Sequence, residues 1–381
     1  MVKKFYLLVC PALLALSSCS NEANENGILD KTGAISFAAY PTKSRAVGAD
    51  ITSDNMKGDN FGVAGYSNNA IYLNKGTNGV EQKWDATGST WEYANLADLK
   101  FWPENNMDFY AYFPYTDNAS FAESNASGNV MTITGVDCSH DVLFAFAGNQ
   151  SKQTRVPLTF HHAFSKIKTL QIEMPAEGIV YNSGCQVEIS SAEFIYTRTK
   201  GDVKVDKDGA ASYNVAESNL TLQETLSPSI IINSTNTSTN IIDYGTSSKG
   251  YFFATSATKV NEVKGTGALM WDGVKANIGE TSKLSTSGLV CLKLTCKVWN
   301  GTSHYYVGSA DTYGAVYIPL KGTYSDSNEV STFDAGKRYN YKIVMKDNVG
   351  FTDAGDPILT PILFRVNSVD DWSDVTVTIT L

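Results

Sequence analysis

Charged residues make up only 18% of this 381-residue sequence, against about 25% in an ordinary soluble protein. Basic residues are the scarcer half: 30 Lys and Arg against 39 Asp and Glu leave a net charge of −9. That balance argues against a nucleic-acid partner, because phosphate calls for a basic face. Proline is scarce, at 10 residues, and neither a glycine period nor heptads appear, so collagen and coiled coil are excluded. Four histidines without a dense His/Cys cluster leave little from which to build a metal centre. The chain has no G-x-S-x-G, H-E-x-x-H or phosphate-binding loop, so neither an enzyme nor a cofactor is expected. What is abundant is aromatic: 20 Tyr and 17 Phe, enough to bury a core and to exclude a disordered chain.

The N-terminus carries an address. Lys3 and Lys4 precede the apolar run Phe5–Leu16, which is too short for a span of about 20 residues but right for a signal-peptide core. The run ends Leu16-Ser17-Ser18-Cys19, which resembles the bacterial lipobox. Residues 1–18 therefore read as a lipoprotein signal peptide. Cys19 is the expected lipidation point, and its acyl chains would hold the protein to the outer membrane. Loss of Lys3 and Lys4 takes the charge from −9 to −11. The polar, Asn/Glu-rich segment 19–33 reads as a flexible tether.

Four cysteines remain in the body: Cys138, Cys185, Cys291 and Cys296. Their spacings are wide and irregular. Cys291 and Cys296 differ by an odd number, so on one strand they face opposite ways and cannot pair with each other. Isolated buried thiols are expected, with at most one disulfide of open pairing.

Strand-like alternation, bounded by Gly, Asn, Asp and Ser, dominates the rest. Trp84, Trp91 and Tyr93 flank a DATGST turn and predict a hairpin. Val142–Ala147 is apolar on both faces, as a covered strand would be. Residues 156–167 read as one long β region. From Lys166 to Glu173 the alternation places Ile167 on one face and Leu170 and Ile172 on the other. The polar stretch 234–240 reads as a loop. No repeat of 20–50 residues appears, which disfavours solenoids and propellers. Many short strands with frequent turns predict β-sandwiches. A turn-rich break at Pro175–Gly184 suggests a seam between domains 34–175 and 176–381, although the boundary could lie nearer residue 155.

Four blocks of sequence, in order, resemble the fimbrillin family, the pilins of type V pili and their relatives. The first is the lipobox with Ile35-Ser-Phe-Ala-Ala-Tyr40 and Thr42-Lys-Ser-Arg45-Ala46. The second is Phe101-Trp102-Pro103 with Asp108–Pro114. The third is Asp141–Ala145 with Leu158–Ile167. The fourth is Phe333–Tyr341 with Val369-Asp-Asp-Trp372. The middle, about 176–330, carries few family marks. The resemblance implies an all-β fold of two transthyretin-like β-sandwich domains and export to the cell surface as a lipoprotein. It further implies cleavage between Arg45 and Ala46 by a trypsin-like protease, release of the first strand, and other fimbrial subunits as strand-exchange partners in a fimbrium.

The residues fit that scheme physically. Ile35, Phe37 and Ala39 fall on one face of a short strand, the candidate displaced strand. Burying the two larger side chains would contribute roughly 3–6 kcal/mol. Val375, Val377, Ile379 and Leu381 fall on one face of the last segment, the candidate donor strand, with roughly 6–12 kcal/mol before ordering costs. An ordinary last strand of its own domain remains the alternative. Arg45 lies in the polar segment TKSRAVG, of the kind proteases reach.

Other constellations read as structural. His161 and His162 are adjacent and face opposite sides of a strand. Asp206-Lys-Asp208-Gly209 resembles the start of a calcium loop but lacks its closing Glu, and predicts a hairpin turn. Asp370-Asp371-Trp372 matches the terminal block of the family. Tyr305, Tyr306 and Tyr313 could stack on a glycan or host protein, the alternative function being a non-polymerising surface lipoprotein.

Overall fold

The computed structural model describes residues 33–41, 51–52, 55–173, 185–197, 199–215, 220–233, 236, 238–245, 249–253, 291–300, 302, 304–319, 322–324, 328–330, 333–344, 349–351, 357–359, 363–366 and 373–380. Among these the regular structure is β-strand, with two short 3-10 turns at Asn55–Gly58 and Leu96–Asp98. No described helix is long and apolar enough to cross a membrane. The fold is all-β.

The N-terminal half holds an eight-stranded sheet. Its spatial order is Phe37–Pro41, Val156–His162, Leu143–Gln150, Met107–Phe113, Phe61–Ser67, Val80–Asp85 and Thr90–Tyr93, with Ala70–Leu73 also paired to Phe61–Ser67. One face packs on a four-stranded sheet ordered Ala211–Val215, Gly201–Asp206, Asn129–Val136 and Ala119–Phe121. Tyr66, Tyr110, Tyr112, Met131, Ile133 and Val203 fill the space between them. The other face curls around Phe37, Phe61, Val63, Phe109, Leu143 and Phe160, so the two edge strands, Phe37–Pro41 and Thr90–Tyr93, come to lie near each other. Over Val142–Ala147 every residue but the half-buried Phe146 is buried, the two-sided apolar character expected of a covered strand.

The C-terminal half repeats the sandwich. Its larger sheet runs Ser238–Asp243, Phe164–Glu173, Lys337–Val344, Ser373–Thr380, Leu363–Val366, Gly322–Tyr324 and Asn328–Val330, with Tyr251–Phe253 also on Phe164–Glu173. The facing sheet runs Leu220–Ile232, Cys185–Thr197, Cys291–Asn300 and His304–Val307, with Gly314–Pro319 also on Cys291–Asn300. Ile167, Leu170, Ile172, Phe194, Leu294 and Tyr341 belong to the core between them.

Several expectations change. Residues 156–167 are not one β region: the chain leaves the first sheet after His162 and joins the other at Phe164. Ala163, fully buried, marks the switch, and its N–H bonds to the Val142 carbonyl. The sheets also cross the seam expected at 175/176 in both directions. Phe164–Glu173 pairs with Lys337–Val344, while the Gly201–Val215 hairpin returns to Asn129–Val136. Along Phe164–Glu173 the register shifts between Ile167 and Thr169. A bulge of this kind inverts the facing of the residues beyond it, so Ile167 shares one core with Leu170 and Ile172. Ser238–Asp243 is a strand where a loop was expected to run to residue 240, held by Ile241 and Ile242 in the core. The Pro175–Gly184 break itself lies outside the described residues.

Candidate functional site

The N-terminal strand Phe37–Pro41 sits at the end of its sheet and, among the described strands, pairs only with Val156–His162, in parallel. Phe37 is opposite Val156 and Ala39 opposite Leu158. The Val156 N–H donates to the Ser36 carbonyl at 2.8 Å, and the Ile35 N–H donates to the Lys100 carbonyl at 2.9 Å. The period of two puts Ile35 and Phe37 inward, both fully buried, with Ala39 packed partly beside them and Tyr40 56% exposed. The Phe37 ring meets Phe109 edge to face at 5.4 Å and Phe61 at 6.3 Å. Phe61 in turn meets Trp91 at 4.9 Å and Phe160 at 5.5 Å. The segment is thus a plug: its side chains complete an aromatic core, while its backbone is tied along one edge from Phe37 to Pro41 and bonded to Lys100 on the other at Ile35.

At its N-terminal end, around Ile35, lies a cleft of about 750 Å³ that reaches the other sheet edge, Thr90–Tyr93. Its walls include Ile35, Trp91, Tyr93, Leu99, Lys152 and Arg155. Arg45 and Ala46 lie outside the described residues, as do Cys19 and Leu381.

The C-terminal strand Ser373–Thr380 is interior in its sheet. It runs parallel to Lys337–Val344 and antiparallel to Leu363–Val366, with Val375 opposite Tyr339, Val377 opposite Tyr341 and Ile379 opposite Ile343. It therefore occupies the position of a last strand of its own sandwich. Like the N-terminal strand, it lies parallel to one neighbour.

The remaining sequence features divide between core and surface. His162 is buried with Asp141, Nδ1 to Oδ2 at 2.6 Å, whereas His161 faces outward beside the Phe144 ring. Partial burial, reinforced by His162, lowers the His161 pKa. Cys138 and Cys296 are buried free thiols, and burial raises both pKa values, that of Cys296 to about 12; such thiols are poor nucleophiles. Cys185 and Cys291 stand at opposite ends of paired strands, level with Asn300 and Ile195. Asp206 closes a hairpin, its Oδ1 accepting from the N–H groups of Asp208 and Ala210, with Gly209 at φ +81°. Among the described residues no group of three or more His, Cys, Asp or Glu converges on a metal position.

A second surface feature was only partly legible. Tyr313 is 38% exposed; its hydroxyl donates to Glu188 at 2.6 Å, and Lys297 Nζ lies 4.6 Å from its ring centroid. Tyr305 stacks on Trp299 at 5.9 Å. Sequence alone marked the tyrosines but not Glu188, whose partners come from distant strands. Hydrogen bonds from Ser229 and Tyr313 lower the Glu188 pKa.

The abundant tyrosines have a structural use. Tyr66, Tyr110 and Tyr112 are buried, yet their hydroxyls reach the carbonyls of Ala122, Lys207 and Asn78. Each thereby brings a loop or turn onto the sandwich core.

No curated protein matches the sequence. Among solved structures, a candidate cell adhesion protein from Bacteroides uniformis aligns at 13% identity and a TM-score of 0.37, covering 92% of this chain and 97% of its own. A fimbrilin from Porphyromonas gingivalis aligns at 10% identity and 0.37, covering 91% and 96%. A candidate cell adhesion protein from Parabacteroides distasonis aligns at 9% identity and 0.38, covering 88% and 87%. The fimbrillin-like family model matches residues 44–267, more than half of the sequence, and the chain belongs to that family.

Proposed function

We propose that this protein is a fimbrial subunit or tip component, a structural rather than catalytic protein. It is exported as a lipoprotein on Cys19, displayed at the outer membrane, assembled by strand complementation and used for adhesion. The observation that carries this reading is the plug. Ile35 and Phe37 are fully buried, the strand Phe37–Pro41 is paired along one edge only among the described residues, and Arg45 follows four residues after its end at Pro41. A cut between Arg45 and Ala46 frees the plug from the body. Its departure leaves an apolar groove and unpaired backbone groups along Val156–His162, the two things that an added strand satisfies.

The donor in this reading is the C-terminal strand of another subunit, carrying Val375, Val377, Ile379 and Leu381. It already pairs in parallel within its own sheet, which is the sense the vacated groove demands. The test is to remove the residues before Ala46 from the purified protein. Polymers in electron micrographs, and ladders on mildly heated gels, are expected; truncation after Trp372 should abolish them. A lasting monomer overturns the proposal.

The Tyr313–Lys297–Glu188 cluster and the Trp299–Tyr305 stack favour a second reading, a non-polymerising surface lipoprotein that binds a glycan or host protein. A persistent monomer whose melting temperature rises with a glycan would select it.

A further inference from the structure

The two strands of the proposed exchange share a register signature. In its own sheet the C-terminal strand sets Asp374 opposite Arg338 and Val375 opposite the buried Tyr339. The slot of the plug offers the same order. Val156 is fully buried opposite Phe37 and is preceded by the exposed Arg155, level with Ser36. Arg155 and Lys152 stand on the wall of the cleft that opens beside the plug. Lys152 is three residues before Arg155, just as Asp371 is three before Asp374.

Apolar alternation alone leaves the register of an incoming strand open. A slip of two residues keeps every side chain on its face. With Val375 in the place of Phe37, Asp374 comes level with Arg155, and the next two apolar residues take the places of Ala39 and Pro41. With Val375 in the place of Ile35, Asp374 comes level with Gln153, which carries no charge. Opposite charges on neighbouring strands attract and like charges repel, so only the first register gains a cross-strand ion pair.

We propose that Arg155 fixes the register in which the C-terminal strand of a second copy of this chain enters the groove, by standing opposite Asp374. The cleft, with Arg155 and Lys152 on its wall, is where that strand is first received. The inference rests on the strand-complementation reading and sharpens it to one alignment of two.

The test uses the chain from residue 19 with Cys19→Ser, a specific protease site in place of residues 42–47, and Thr159→Cys. Thr159 is exposed and level with Tyr40. After the cut, synthetic peptides of residues 371–381 carrying Thr378→Cys or Thr380→Cys are added under mild oxidation. The inferred register brings residue 378 level with 159; the slipped one brings 380. Preferential capture of the Thr378→Cys peptide is expected, with that preference lost in Arg155→Glu. Binding of the peptide without substitutions should weaken about two- to fivefold in Arg155→Glu, the range of an exposed ion pair. Binding of an Asp374→Arg peptide to Arg155→Glu should recover. Capture of Thr380→Cys in preference, or equal capture of both, overturns the register while leaving strand complementation intact. Release of the fragment carrying residues 19–41 without capture of any 371–381 peptide overturns both.

Discussion

Phe37 and Phe109 meet edge to face, with ring centroids 5.4 Å apart, although one sits on the outermost strand of its sheet and the other on an interior strand. The plug is therefore held chiefly by what its side chains bury, since the backbone of Phe37–Pro41 pairs on one side and the other side adds the bond from the Ile35 N–H to the Lys100 carbonyl. Phe37→Ala in the uncut chain should cost about 3–5 kcal/mol of stability. Urea unfolding would measure it. The same substitution should speed loss of the plug from the cut chain. A loss below about 1 kcal/mol would mean that the aromatic core closes without it.

The buried His162–Asp141 pair ties the end of Val156–His162 to the segment that leads into the neighbouring strand Leu143–Gln150. Removing Asp141 takes the carboxylate away from a buried imidazole. Asp141→Ala should destabilise the fold by about 3 kcal/mol or more, and Asp141→Asn, which retains a hydrogen-bonding group, by less. Denaturant midpoints at constant slope would separate the two.

Gly250 adopts φ +92°, and a Cβ there would lie 2.4 Å from the Ile167 carbonyl oxygen. The neighbour is backbone on a central strand and cannot swing away. Gly250→Ala should lose at least 1–2 kcal/mol from the left-handed conformation alone. Thermal unfolding reads it directly.

Glu188 accepts from Ser229 and Tyr313, and both bonds lower its pKa. A carboxyl whose pKa is depressed on folding stabilises above its unfolded value and loses that contribution as pH falls through the folded one. Tyr313→Phe and Ser229→Ala should each raise the Glu188 pKa toward its ordinary value and flatten the acid limb of the stability curve. His161, also depressed, acts in the same direction: its neutral form is favoured on folding, so stability falls as pH drops below the unfolded value of about 6.5. NMR titration of the two side chains would check both signs.

Local pattern carried the strand content well, because a period of two is written in adjacent residues. Trp84 and Trp91 face each other across the predicted hairpin, and Ile35 and Phe37 point inward as their spacing requires. What local pattern could not carry was pairing between distant segments. Ala163 looks like any small residue in a strand, yet there the chain changes sheets. The bulge between Ile167 and Thr169 inverts a face without altering composition. Asp206–Gly209 predicts a hairpin turn, and only the tertiary fold returns the hairpin Gly201–Val215 to Asn129–Val136. The alignment of Arg155 with Ser36 is of the same kind: each residue is ordinary in its own neighbourhood, and only the parallel register relates them.

The change of sheets at Ala163 has a mechanical consequence. Val156–His162, the wall of the groove proposed to accept a strand, continues through one residue into Phe164–Glu173, whose parallel neighbour Lys337–Val344 borders the C-terminal strand. In a filament built as proposed, tension arriving at one end of a subunit would be passed to the other along this short run of main chain. Each joint would be loaded in shear, along the strand direction, so that its hydrogen bonds share the force and do not peel open one by one.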